Sequence, residues 1–462
     1  MKKAVALLLT VVLMFGLTLP AFAAEISYPT IECVVQEIQK YGNIVLDVKP
    51  EKLMKAGYDY GDMLAVTVDG TTYQIPLCTN YSDVDIGSYV ACNGDGLLTL
   101  AINMGDFATA SGIAERVIAE DKSVTWVFSG GKNLENLTVS LSMAEKGGYH
   151  DQYLIHQLVR TNDRADYDSD RIFANFRNIA SGDLGDRALF RSSSPVNNEL
   201  GRAAYADDFV EANGIRTVVN LADTDADIAG YIAQEDFDSP YYASLYRAGK
   251  VKALNLSVNF TAEDFQVGLA EGLRFLAVNE GPYLIHCTEG KDRAGFVSAL
   301  LASYMGASYD QVVEDYMQTY INYYHLEKDT EQYDAVKRSN IDAILQRITG
   351  ASDGVDLSQV DLADGARRYV KSLGLSDDEC EALRIHLAKD DPAHVDAEAD
   401  EPGTDTPATY TVAAGDCLWK IARKMYGTGT RWKDIYEANR QIIRSPQRIY
   451  VGQVLTIPAV GF

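Results

Sequence analysis

Apolar and polar positions follow different rhythms along this chain, and each rhythm predicts a different element. Residues 4–17 are an apolar run, interrupted only by Thr10 and Gly16, behind Lys2 and Lys3, with Ala21-Phe-Ala23 closing the segment. These are the three parts of a secretory signal, with cleavage expected near Ala23. The run is too short for a membrane anchor, and Pro20 interrupts its end. Residues 26–148 carry short β-type runs at 35–38, 44–48, 64–68 and 97–102, punctuated by Gly, Asn and Asp, which predicts a small β-barrel. Further on, Tyr283, Leu284 and Ile285 form a short buried run and Gly290 relaxes a loop. Phe296, Val297, Ala299, Leu300 and Leu301 then supply the apolar face of a helix. From residue 410 a short strand, two helices and a closing strand lean on Trp419, Ile421, Ile435, Leu455 and Ile457.

The loop between that central strand and helix holds the candidate chemistry. It reads His286-Cys-Thr-Glu-Gly-Lys-Asp-Arg293, followed by Ala294 and Gly295. Cys287 is placed beneath a helix N-terminus, where orphan N–H groups and the positive end of the helix dipole stabilise both an oxyanion and a thiolate. Arg293, six residues on, closes the loop, and its planar fork can hold two phosphate oxygens at once, which a lysine point charge does less well. Thr288, Glu289, Gly290, Lys291, Asp292 and Arg293 together make a phosphate cradle around one nucleophile.

His-Cys-Thr-Glu-Gly-Lys-Asp-Arg-Ala-Gly resembles the loop of the atypical bacterial tyrosine phosphatases with an HCxxGKDRTG motif, some of which also hydrolyse phosphoinositides. Asn175-Phe-Arg-Asn178, Ala188-Leu-Phe-Arg-Ser-Ser193, Thr217-Val-Val-Asn-Leu221 and Tyr369-Val-Lys-Ser-Leu-Gly-Leu-Ser376 recur in that order in the family, so the resemblance covers about residues 165–389. It implies an α/β Cys-dependent phosphatase fold in which Cys287 attacks phosphorus, Arg293 and the loop hold the oxygens, and His286 orients the loop. Asn175 and Arg177 are implied scaffold. The family's general acid follows the strand equivalent to residues 253–257, which favours Asp264, with Asp292, Asp223 and Asp225 open. Two departures stand out. Ala294 replaces a Thr or Ser whose hydroxyl stabilises the departing thiolate, and Ala222 then Asp223, Asp225 and Asp227 stand where the family tends to carry Arg.

The C-terminal pattern, residues 410–458, resembles a LysM domain, a βααβ module that binds N-acetylglucosamine-containing glycans, chiefly peptidoglycan. Gly415, Asp416 and Cys417 are implied on one side of its groove, with Ile442, Ile443 and Arg444 on the other. Tyr41-Gly-Asn-Ile44, Asn80-Tyr-Ser-Asp-Val84 and Ala101-Ile-Asn-Met-Gly105 resemble the C-terminal domain of the S-adenosylmethionine hydroxide adenosyltransferases. That resemblance implies Asn43 and Asn103 as nucleoside contacts, although a structural or adaptor role is the favoured reading.

Composition refines this picture. A formal charge of −25 over 462 residues argues against general binding to nucleic acid or an anionic membrane. Acidic residues crowd the Pro-, Ala- and Thr-rich segment 390–409, which reads as an extended linker. Six cysteines are too scattered for a disulfide scaffold, although a bridge among Cys33, Cys78 and Cys92 stays open. No His or Cys cluster has metal spacing, so neither metal nor cofactor is expected.

The sequence thus predicts a multidomain chain: signal 1–23, β-barrel 26–148, phosphatase 165–389, linker 390–409 and LysM 410–458. The expected function is an exported, wall-associated phosphatase acting on phosphotyrosyl protein or a small phosphate monoester. It would bind peptidoglycan and have no membrane span after cleavage. The alternatives are a phosphoinositide or inositol phosphate phosphatase, and a weakly catalytic phospho-ligand binder anchored at the wall.

Overall fold

The computed structural model describes residues 27–390, 408–413, 416–426, 431–443, 446 and 449–458. The signal segment, most of the acidic segment, Gly415 and Arg444 lie outside the described residues. The chain divides into two compact units between His150 and Asp151.

In the first unit, β1 (Ile31–Ile38), β2 (Ile44–Leu46), β3 (Met63–Val68), β4 (Thr71–Pro76), β5 (Tyr89–Gly94), β6 (Leu97–Ile102) and β9 (Thr138–Glu145) form one sheet in the order β4-β3-β9-β1-β2-β6-β5. A separate hairpin, β7 (Ala114–Ile118) with β8 (Val124–Phe128), stands outside it. The start of β1 alternates strictly, with Ile31, Cys33 and Val35 inward, so one face is committed to the core. An irregular register between Val35 and Glu37 bends the strand, which lets it pair with β9 on one side and β2 on the other. The edge strands are joined by a bridge between Leu77 and Ala91, so the sheet curls into a nearly closed barrel around Leu46, Leu64, Val66, Leu100, Val139 and Leu141. Cys33, Cys78 and Cys92 are buried as free thiols.

The second unit is built on β10 (Arg177–Asn178), β11 (Leu189–Ser192), β12 (Thr217–Asn220), β13 (Val251–Ala253) and β14 (Tyr283–His286), in the order β10-β11-β14-β12-β13. All neighbours are parallel except the short edge strand β10. Strand β14 is central and buried along its length, as its apolar run requires. Helix α1 (Glu263–Val278) turns Phe265, Leu269, Leu273 and Leu276 to the core. Helix α2 (Asp292–Tyr304) is buried at every residue from Ala294 to Tyr304, so it is a central helix with little amphipathic signal. A Ser308–Gln311 capping box starts α3 (Tyr309–Tyr324), and a π-helical turn, Lys337–Asp342, leads into α4 (Ala343–Thr349). No described helix is long and apolar enough to cross a membrane.

The C-terminal module pairs β15 (Ala408–Thr411) with β16 (Val454–Ile457), antiparallel, around α5 (Leu418–Tyr426) and α6 (Trp432–Ala438). Ile421, Ile435, Leu455 and Ile457 are buried as the apolar rhythm requires, and Leu418 fills the core place that the sequence assigned to Trp419. Trp419 is half-buried.

Candidate active site

Cys287 follows the C-terminal end of the central strand, where open parallel sheets place their ligands, and is buried. The chain then turns into α2 through Gly290, whose φ of +69° suits glycine. A Cβ there would also lie 2.3 Å from the Ser192 carbonyl oxygen, so close packing against β11 excludes any side chain.

Successive carbonyls of the loop are held from outside. The Cys287 oxygen lies 3.4 Å from His286 Nδ1, and the Thr288 oxygen accepts from the Ser194 N–H at 3.0 Å. The Glu289 oxygen accepts from the Tyr323 hydroxyl at 2.7 Å. The Gly290 oxygen accepts from Arg191 at 2.8 Å and Asn175 at 3.3 Å, and the Lys291 oxygen from Arg191 at 3.2 Å. The N–H groups of Thr288, Glu289, Gly290 and Lys291 enter no hydrogen bond among the described residues. A loop whose oxygens are pulled outward turns its N–H groups toward its centre, and that centre is an anion site.

The clamps are themselves clamped. Arg191, with no exposed side-chain surface, donates to Asp315 at 2.6 Å, and Arg177 donates to the same carboxylate at 2.7 Å. Burial penalises the Asp315 carboxylate, but Arg177 and Arg191 outweigh it and hold its pKa below the ordinary value. Asn175, at φ +50°, reaches Thr319 and Gly290 and accepts from Asn322 at 3.1 Å. The sequence singled out Asn175 and Arg177, but not Asp315, Thr319, Asn322 or Tyr323. Their spacing was the available signal, because 315, 319, 322 and 323 lie on one face of α3 as a polar stripe among Val312, Tyr316, Met317 and Tyr320.

His286 is buried, and desolvation pushes its pKa down to about 3, with the nearby Arg293 charge adding to the effect, so the ring is neutral. Its Nε2 lies 3.3 Å from the Tyr242 hydroxyl, which accepts from Asn220 at 3.0 Å. A carbonyl only accepts, so the arrangement assigns the proton to Nδ1, facing the Cys287 oxygen, and leaves Nε2 to accept from Tyr242.

Arg293 donates to the Leu256 carbonyl at 3.0 Å and to the Thr288 hydroxyl at 3.3 Å. Its Nε is buried without a partner, a donor left over for an oxyanion. Glu289 pairs with Arg160 and, at 3.5 Å, with Lys291. Lys291 lies over the rings of Tyr320 and Tyr324, 5.9 Å from each centroid. Burial disfavours its ammonium, but Asp292, Tyr324 and Glu289 outweigh that and raise its pKa.

The candidate acids differ in setting. Asp264 is exposed on the first turn of α1, where its Oδ1 accepts from the Phe265 N–H. Asp225 is also exposed, accepting from the Tyr246 hydroxyl. Asp223 is buried and bonded to Asn220 at 2.9 Å, and desolvation raises its pKa. Asp292, next to Arg293, also has its pKa raised by desolvation, against the opposing charge of Lys291. In the C-terminal module, Asp416 accepts from the Ala413 N–H and the Tyr410 hydroxyl, Cys417 and Ile442 are exposed, and Ile443 is buried in the module's core. Asn43 and Asn103 line one cavity of about 660 Å³ with Tyr41, Tyr81 and Arg116. Among the described residues, no three His, Cys, Asp or Glu side chains group as a metal site.

Comparison with known proteins places these features. Residues 175–389 match the model of the tyrosine phosphatase family, 410–458 the LysM domain and 33–117 the SAM hydroxide adenosyltransferase C-terminal domain. A tyrosine-protein phosphatase of Nostoc commune is 27% identical over 217 residues, which are 41% of this chain and 72% of the relative. The potassium binding protein Kbp of Escherichia coli O6:H1 is 38% identical over 114 residues, 24% of this chain and 74% of Kbp. The core catalytic domain of the PP-IP phosphatase SIW14 from S. cerevisiae, solved with citrate, aligns at 18% identity and a TM-score of 0.22, over 38% of this chain and 91% of that one.

Proposed function

Residues 175–389 form a domain of the tyrosine phosphatase family, and on that premise we propose that the chain hydrolyses phosphate monoesters at the Cys287 loop through a phosphocysteine intermediate. One observation carries the reading: the carbonyls from Cys287 to Lys291 are tied outward around a buried cysteine, while Arg293 Nε has no partner.

The Cys287 thiolate attacks phosphorus as the bond to the leaving oxygen breaks. Loop N–H groups and the Arg293 fork hold the three equatorial oxygens throughout. Asp292 gives its proton to the leaving oxygen. It is better placed than Asp264, because it stands in the loop beside Arg293 and its pKa is raised, whereas Asp264 is exposed at the start of α1 and bonded to its own helix. Water then attacks phosphorus, the S–P bond breaks, and the Asp292 carboxylate takes the water proton. His286, being neutral, serves by orienting the loop and not by adding charge.

Phosphotyrosyl protein is the favoured substrate. The N-terminal signal pattern and the C-terminal LysM module support export and retention on peptidoglycan. Steady-state hydrolysis of phenyl phosphate tests the reading. Cys287→Ser should lose nearly all activity with its urea midpoint kept, and Asp292→Asn should slow turnover far more than Asp264→Asn. Unchanged turnover in Cys287→Ser overturns the mechanism, and the reverse order of the two Asp variants returns the acid to Asp264.

A further inference from the structure

A cleft of about 460 Å³ opens beside the phosphate loop, and Asp292 is part of its lining. The volume suits one aromatic ring and its neighbours. Val258 and Phe260 form one wall, Ile344 of α4 another, and the Tyr316 ring a third. Phe260 is held firmly, 4.7 Å from the ring of Phe296 and 5.1 Å from that of Phe265. Asn340, in the π-helical turn, is fixed by its hydrogen bond to Tyr320 at 2.7 Å. Such a turn re-aims side chains and recurs at functional sites.

Arg347 completes the lining. It is exposed and makes no hydrogen bond or ion pair among the described residues, so its fork is available to a ligand. The other cations near the loop are taken: Arg160 by Glu289, Arg191 and Arg177 by Asp315, and Lys291 by Glu289 and Asp292. An arginine fork prefers a carboxylate or phosphate, and the apolar walls favour a ring over a polyol. The net charge of −25 disfavours approach to an anionic lipid surface.

We propose that this cleft seats the phenol ring of the substrate and that Arg347 pairs with a carboxylate beside it, so that phosphotyrosyl peptides with an acidic neighbour are selected. The inference rests on the phosphatase reading above and names its substrate class. Asp292 sits between ring and loop, where the leaving phenol oxygen needs a proton.

The test compares kcat/KM for three phosphotyrosyl peptides that differ only in a Glu, Ala or Lys next to phosphotyrosine, using the full chain. The Glu peptide should exceed the Lys peptide by about tenfold, the size of one charge-assisted contact, with the difference in KM. Arg347→Ala should bring the ratio close to one, and Arg347→Glu should invert it. The ratio is insensitive to a general loss of folded enzyme. Equal rates for Glu and Lys peptides in the native chain, or a ratio that survives both substitutions, overturns the proposal. So does a soluble phosphoinositide that is turned over faster than every peptide. If the native chain hydrolyses no peptide and no phenyl phosphate, the phosphatase reading fails first, and this inference with it.

Discussion

The Tyr323 hydroxyl donates a 2.7 Å hydrogen bond to the carbonyl oxygen of Glu289, joining the last turn of α3 to the middle of the phosphate loop. The Tyr323 ring lies under Arg202, 4.3 Å from its centroid, so the hydroxyl has little freedom to choose another partner.

Tyr323→Phe keeps the ring and removes only the donor. It should lower stability by about 1 kcal/mol and turnover by about tenfold, because the Glu289 peptide is released to rotate. Asp315→Asn strikes deeper, leaving Arg177 and Arg191 without their shared charge, and should cost about 3–5 kcal/mol. Urea midpoints and kcat on phenyl phosphate check both, and an unchanged kcat in Tyr323→Phe would remove the carbonyl tie from the mechanism.

His286 gives the fold an acid weakness. Its pKa is about 3 when folded and about 6.5 when unfolded, so the unfolded chain binds the extra proton between those values. Stability from the neutral ring is present above pH about 6.5 and falls as the pH drops toward the folded value. His286→Gln, which retains an N–H donor, should flatten the urea midpoint against pH over that window. Parallel curves for the two proteins would assign the acid sensitivity elsewhere.

Ala294 is buried among the residues behind the loop and carries no hydroxyl to assist the departing thiolate. The phosphocysteine should therefore accumulate, giving a burst of product equal to the enzyme concentration before a slow steady state. Ala294→Ser should raise the steady rate by about tenfold with little change in the burst. Rapid-quench kinetics decide it, and the absence of both burst and gain would make the substitution silent.

Removing the residues after Asp400 should leave phenyl phosphate hydrolysis intact and abolish sedimentation with insoluble peptidoglycan, since the acidic segment separates the two modules. Sedimentation that survives the truncation would move wall binding to the N-terminal barrel.

The strand, loop and helix around Cys287 were legible because a short apolar run, a glycine and a second apolar run are local signals. The clamps were legible only in part: Asn175 and Arg177 stood out by resemblance and α3 by its polar stripe, but Asn175 meets Gly290 across 115 positions and Thr319 across 144, and no linear pattern records that pairing. Asp264 was favoured by its place after a strand, yet that place is a helix N-terminus where an acidic residue complements the dipole. Ile443 was carried to a groove by the LysM resemblance, while its side chain packs into a core too small to spare an isoleucine.

The outward ties on the loop come from Asn175 at one end of the domain and Tyr323 far downstream. A chain synthesised only as far as residue 310 already holds Cys287 and Arg293, but it lacks the helix that draws the Glu289 peptide into place. Hydrolysis is therefore a report on folding well beyond the loop itself, silent in a nascent polypeptide that stops short of α3 and switched on only when that helix docks.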